Sequence, residues 1–167
     1  MFLLWTSMST FDDAFDLLIG NEGAYPNCLQ DPGGEAMWGI NQRVAFAWGY
    51  TGPIQDLPRE TAKHIAKALY WDPLHCDGYD ARVALQILDA NYNGGPVVVW
   101  MQQASGALAD GKLGPKTIAA MQAVDPELFI MRFVAARLTY LTALQTWPSF
   151  GRGWARRIAT NLRVAGA

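Results

Sequence analysis

The sequence predicts an all-α protein, on three observations. Every long periodic segment repeats its apolar residues at helical spacing. No run alternates apolar and polar residues as a half-buried strand would. Glycine, proline or a capping side chain stands at the ends of these segments. There is room for at most a short β-hairpin, within the loop of residues 23–38.

The first predicted helix covers residues 9–20. Ser9 or Thr10 can cap it, and Asp12 and Asp13 suit the positive end of its dipole. Phe11, Ala14, Phe15, Leu18 and Ile19 form its apolar stripe. After the loop, Asn41 caps a helix running to about Trp48 and closed by Gly49. Pro58 fits the first turn of the next, which continues to about Tyr70. Asp80 opens a helix with Val83, Ala84, Ile87 and Leu88 on one face, ending at Asn93-Gly94-Gly95. Pro96 begins a helix through Gln103 that stops at Gly106. The turn Asp110-Gly111-Lys112-Leu113-Gly114-Pro115 leads into a helix over residues 116–123. Asp125-Pro126-Glu127 starts a long helix to about Gln145, broken by Trp147-Pro148, and Gly151 to Arg163 forms the last. Residues 9–95 and 96–167 form two zones. No flexible linker parts them, so one continuous globule is expected.

Composition narrows the class. The 167 residues are 51% hydrophobic with seven tryptophans, enough for a sizeable core in one domain. The 16 glycines and nine prolines punctuate the chain without dominating it, as in a folded protein. Cys28 and Cys76 make no disulfide framework and are expected as free thiols. The start, Met1-Phe2-Leu3-Leu4-Trp5, has neither a basic n-region nor a long h-region, and Met8-Ser9-Thr10 reads as the more natural beginning. The protein is therefore expected to be made in the cytoplasm without its own export signal, with no membrane span. Net charge is −2, but residues 128–167 hold six arginines and no acid. Such a tail suits an anionic polymer or membrane surface, against the plain alternative of a solvated helix face. Without lysines or a recognised binding motif there, nucleic acid is not expected as a partner.

Chemistry concentrates in Asn21-Glu22-Gly23-Ala24-Tyr25 and, nine positions after the glutamate, Asp31-Pro32-Gly33-Gly34. Two carboxyls held across a cleft are the minimum equipment for cutting a glycosidic bond. Phe11, Phe15 and Leu18 lead on to Glu22, which leaves the helix on its apolar side. Desolvation there raises a carboxyl pKa, as a general acid near neutral pH requires. Gly33, Gly34 and Gly39 let a polysaccharide lie against the backbone. Tyr25 and Trp38 offer flat faces for sugar rings, and core packing is the alternative role for both. His75-Cys76-Asp77 lacks zinc-ligand spacing, and neither cysteine has a nucleophile motif around it. Asp110-Gly111-Lys112 has none of the later ligands of a calcium loop. No metal and no cofactor is expected.

Taken together, Glu22 to Tyr25, Asp31 to Gly34 and Trp38-Gly39-Ile40 resemble the glycoside hydrolase family 108 muramidases. Further matching features are Tyr70-Trp71-Asp72-Pro73, Asp89 with Asn93 and Gly95, and the Asp110-Gly111 to Gly114-Pro115 turn. The closing Phe150-Gly151-Arg152-Gly153-Trp154-Ala155-Arg156-Arg157 resembles the end of the helical peptidoglycan domain that accompanies this family. The resemblance covers roughly residues 10–165. It implies a lysozyme-like helical globule with a muramidase region over 9–95 and a peptidoglycan-associated region over 96–167. It implies hydrolysis of the β-1,4 bond between N-acetylmuramic acid and N-acetylglucosamine, with Glu22 as acid. Asp31 would position water or stabilise developing charge. Tyr25, Gly33, Gly34, Trp38, Asn41 and Asn93 would bind substrate. The family usually carries a threonine after the paired glycines, but here Glu35-Ala36-Met37 follows. That leaves Asp31 and Asn41 to hold the water, with Glu35 as a less favoured second carboxylate. A monomeric phage endolysin, released to the wall through a membrane lesion, is the leading expectation. The alternatives are a host muramidase serving secretion and a peptidoglycan-binding protein whose catalysis has decayed.

Overall fold

The computed structural model describes residues 11–22 and 35–166, with side chains at all of these except positions 21 and 22. Among them are eight α-helices and one two-stranded sheet, the all-α fold that the periodicity predicts. Helix α1 spans Phe11–Glu22, two residues beyond its predicted end, so Glu22 is its last residue. Gly20 does not stop it. A mid-helix glycine costs about 1 kcal/mol relative to alanine, and Phe11, Ala14, Phe15, Leu18 and Ile19 are all buried beneath it. On the outer face Asp12 pairs with Lys63 at 2.9 Å, and Asp16 pairs with Arg59. Both partners belong to α3 (Arg59–Ala66), so these pairs strap the two helices together. The expected caps Ser9 and Thr10 lie outside the described residues.

The sheet is a hairpin of β1 (Ala36–Met37) and β2 (Ile40–Asn41), with Ala36 opposite Asn41 and Met37 opposite Ile40. It sits later than the sequence suggested, at the end of the 23–38 loop and three residues past it. Its turn is Trp38-Gly39, both at positive φ (54° and 75°), the backbone of a tight two-residue hairpin turn. Helix α2 (Gln42–Trp48) follows at once. Asn41 Oδ1 accepts from the Val44 N–H at 2.9 Å, and left-handed Gly49 closes the helix, both as predicted. Helix α3 continues through a widened π turn over Lys67–Trp71 and then tight 3-10 turns at Asp72–Leu74 and Cys76–Gly78.

Helix α4 (Ala81–Asn93) is capped by Asp80, whose carboxylate accepts from the Arg82 N–H at 2.9 Å. Its residues from Val83 to Ala90 are all buried, more than one stripe. A helix enclosed on every side is a core helix. Accordingly α1, α5 (Val97–Ser105), α7 (Pro126–Thr142) and α8 (Trp147–Ala165) all pack against it. Helix α6 (Pro115–Ala123) packs on α5. The predicted break at Trp147-Pro148 is instead the start of α8, with Pro148 in the first turn, where its missing N–H is harmless. Gly151 is buried there, and a Cβ added to it would meet the Trp147 ring at 2.4 Å. Among the described residues no helix is long and apolar enough to cross a membrane.

Candidate active site

The hairpin stands on an aromatic floor. Gly39 passes so close to Tyr92 that a Cβ would lie 2.5 Å from its ring. Tyr92 in turn packs against Tyr70, with ring centroids 4.6 Å apart. The Asn91 side-chain amide donates to the Tyr70 carbonyl at 3.1 Å, fixing the end of α4 to the π turn. Burial raises the Tyr70 phenol, opposed by the nearby Arg43 cation, and burial raises Tyr92 far more strongly. Both rings are therefore neutral phenols at any physiological pH. The Tyr92 hydroxyl is buried and has no hydrogen-bond partner among the described residues. Tyr92 and Arg43 did not stand out in the sequence. The only available signal was the position of Tyr92 between two asparagines at a glycine-terminated helix end.

Trp38 holds its left-handed conformation through tertiary contact. Its indole N–H donates to the Leu57 carbonyl at 3.0 Å, anchoring the hairpin tip to the segment before α3. The ring is half-buried and packs on the core. Asn41 uses its side-chain oxygen to cap α2, leaving its amide nitrogen for other partners. Asn93, at the exposed end of α4, accepts from Arg137 Nη2 at 2.6 Å. Ala36 and Met37, standing near where the family's threonine would, are the residues of β1, and Glu35 before them is exposed. Of the sequence-predicted site residues, Glu22 is placed by its backbone at the end of α1, with its side chain outside the description. Tyr25, Asp31, Gly33 and Gly34 lie outside the described residues altogether, as does Cys28. The structure thus brings Trp38, Gly39 and Asn41 together on the hairpin over Tyr92, the neighbour of Asn93.

A buried ionic cluster fixes the helix that carries Tyr92 and Asn93. Asp89 of α4 is fully buried and accepts from Arg137 Nη1 of α7 and from Arg157 Nε of α8, each at 2.6 Å. Burial pushes the Asp89 carboxyl up while Arg137 pulls it down. Burial lowers the Arg157 guanidinium to about 10, so it stays charged at neutral pH. Nearby, Gln86 Nε2 donates to the Asn161 carbonyl at 3.2 Å, a second tie between α4 and α8. The cluster corrects one sequence reading: Arg157 is an internal anchor, whereas its neighbours Arg152 and Arg156 are exposed. The Asp110-Gly111 turn is likewise structural. Buried Gln102 donates to Asp110 Oδ1 at 2.7 Å and accepts from the Gly111 N–H at 2.9 Å.

Comparison with known proteins is consistent with this arrangement. The family described as Glycosyl hydrolase 108 matches residues 15–95, and the Predicted Peptidoglycan domain matches residues 96–159. Brucella abortus SagA, a solved structure, is 30% identical with a TM-score of 0.83, over 93% of this chain and 92% of that one. The chain belongs to glycosyl hydrolase family 108. No curated protein matches it. As a family 108 protein it is a glycoside hydrolase acting on peptidoglycan. The boundary between the two matched segments falls at residues 95 and 96, directly after α4. Asp89 on one side of that boundary and Arg137 and Arg157 on the other are joined by the buried cluster.

Proposed function

We propose that this chain is an N-acetylmuramidase that hydrolyses the β-1,4 bond between N-acetylmuramic acid and N-acetylglucosamine. Glu22 is the general acid, and Asp31 positions water or stabilises the oxocarbenium charge. The observation that carries this reading is the place of residue 22 in the fold. It is the last residue of α1, continuing the register of buried Phe11, Phe15 and Leu18. The negative end of a helix dipole disfavours an ionised carboxylate there and favours the protonated acid. Membership of family 108 supplies the bond class.

A phage endolysin is the role we favour, made in the host cytoplasm and acting at the wall after release. Exposed Arg152 and Arg156 are the residues we assign to contact with anionic envelope polymers. Substituting both with glutamine should weaken sacculus binding and flatten its salt dependence, since screening acts on exposed charges. Unchanged binding returns them to a solvated helix face.

The test of the acid is Glu22→Gln on purified sacculi. Removing a general acid should lower turnover by roughly 10²–10⁴-fold, with the melting temperature unchanged. A variant that clears sacculi at the wild-type rate removes Glu22 from the mechanism. Product analysis identifies the bond: new reducing ends at muramic acid mark a muramidase, and anhydro ends mark a transglycosylase.

A further inference from the structure

Helix α3 ends in a turn that sets one side chain against the candidate site. The π turn over Lys67–Trp71 returns the Asp72 N–H to the Lys67 carbonyl, five residues earlier, and so widens the helix by one residue. Single wide turns of this kind concentrate at functional sites. Here the turn presents Tyr70. Its ring lies 4.6 Å from that of Tyr92, the floor beneath Trp38, Gly39 and Asn41. Its backbone carbonyl is held by the Asn91 amide at 3.1 Å. The phenol is thus fixed in place through both its ring and its main chain.

The protein itself makes no use of the Tyr70 hydroxyl. Tyr70 is half-buried, and its oxygen keeps the access to solvent that the enclosed Tyr92 oxygen lacks. It has no hydrogen-bond partner among the described residues. Arg43 lies close enough for its charge to act on this phenol. It follows Asn41 by two residues, in the first turn of α2, and is exposed. Among the described residues it makes no ion pair and no hydrogen bond. Glu35 stands beside this turn, its backbone carbonyl accepting from the Gln42 N–H at 3.3 Å, yet it does not pair with Arg43. Next along the same face of α2 comes Phe46, 66% exposed. Helix residues three apart are neighbours, with about 5–6 Å between their Cβ atoms. A lone exposed apolar side chain needs no explanation. This one borders two unemployed polar groups beside the hairpin.

A neutral O–H and a guanidinium fork are both donors, and together they fit a carboxylate. We propose that Arg43 and Tyr70 bind a carboxylate of the stem peptide carried by muramic acid, with Phe46 against the aliphatic part of that peptide. The Arg43 fork donates two N–H bonds to the carboxylate, and the Tyr70 hydroxyl donates a third. This rests on the peptidoglycan reading above and deepens it, because the site then selects glycan that bears ionised stems. A polymer of N-acetylglucosamine alone has no carboxylate for it to read. Both residues lie within residues 15–95, the segment matched by the hydrolase family.

The test uses native sacculi and the same sacculi with their carboxyls capped as amides by carbodiimide and ammonium. Exposed ion pairs are individually weak, so Arg43→Gln should lower kcat/KM on native sacculi about fivefold. The loss should come through apparent KM, as expected when ground state and transition state lose the same contact. Tyr70→Phe should act in the same way by a smaller factor, and Arg43→Lys, which keeps the charge without the fork, should restore part of the loss. Arg43 is exposed and Tyr70→Phe keeps the ring on Tyr92, so melting curves should match wild type. On amidated sacculi wild type should itself show the loss, and the variants should add nothing further. An equal effect of Arg43→Gln on both substrates, or none on either, overturns the assignment. Calorimetry with a disaccharide tetrapeptide and its amidated form reads binding without cleavage. The free-carboxyl form should bind wild type more tightly, and Arg43→Gln should erase the difference. A preference that survives in Arg43→Gln overturns the assignment as well. An Arg43-dependent preference in a protein that leaves sacculi uncut supports the site and removes the muramidase reading instead.

Discussion

Gly39 shows how much one residue position can decide. Its φ of 75° and the 2.5 Å approach of a hypothetical Cβ to Tyr92 are separate obstacles to any side chain. Gly39→Ala should therefore destabilise the protein by about 1–3 kcal/mol and reduce sacculus cleavage, both read against wild type in denaturant titrations and turbidity assays. Gly20→Ala is the matching control. That glycine is helical, exposed and open to a Cβ, so alanine should stabilise by about 0.4–1 kcal/mol. Cys76 gives a residue-scale prediction of another kind. Its thiol is buried and free, and burial raises its pKa above the ordinary 9.0. Less thiolate forms at pH 8, and reagent cannot reach it. In a Cys28→Ser background, iodoacetamide should label Cys76 only after unfolding. Labelling at the rate of a model thiol in the folded protein would contradict this. Burial of this kind is visible in a sequence only as a tendency, because it depends on what the turns at 72–78 fold against.

The helix caps were legible in the sequence because their chemistry is local. Asn41, Gly49, Asp80 and Asp125 stand where the sequence puts them, and three of them accept the expected N–H bond. The hairpin was misplaced because its turn uses Trp38, a residue no turn rule favours at positive φ, held there by a bond to Leu57 nineteen residues on. The π turn at 67–71 was missed for a similar reason: no local signal distinguishes it from a continued α-helix. Local chemistry also yields tests at this scale. Asn41→Ser retains an N-cap acceptor, so it should keep stability within a few tenths of a kcal/mol, while Asn41→Ala should lose about 1 kcal/mol. If Asn41 also contacts substrate, the serine variant will fold normally but cleave poorly. Asp80 carries a pH signature. Desolvation raises its carboxyl, but the hydrogen bonds from Arg82 outweigh this and set it below the ordinary 3.8. A depressed folded pKa stabilises above the unfolded value and loses that contribution as pH falls through the folded one. Wild type should thus melt above Asp80→Ala at pH 7, and the gap should narrow as the pH falls below the ordinary carboxyl value of 3.8.

At the scale of the molecule, charge patterning pointed to the right residues but only partly to their use. The six arginines after residue 127 read as an end suited to an anionic surface, or else as a solvated helix face, yet Arg137 and Arg157 are drawn inward onto Asp89. Sequence shows that an arginine is present; only the packing of α4, α7 and α8 shows that a carboxylate waits for it. The consequence is mechanical coupling. Asp89 lies in the segment matched by the hydrolase family and both arginines follow it, so opening the second segment strips a buried carboxylate of its partners. Separate melting of the two matched segments is therefore disfavoured, and calorimetry should show one cooperative transition. Asp89→Asn leaves two guanidiniums buried opposite a neutral amide. Breaking a buried pair in this way costs about 3–5 kcal/mol. At about 2–4 °C per kcal/mol for a chain of this length, the melting temperature should fall by about 6–20 °C. Arg137→Ala should cost a similar amount, because it takes one of the two guanidiniums from the same buried carboxylate and also frees Asn93. The double variant should fall well short of the sum of the two losses, since the partners act as a unit. Additive losses, or two resolved transitions in the wild type, would show that Asp89 does not couple the two halves.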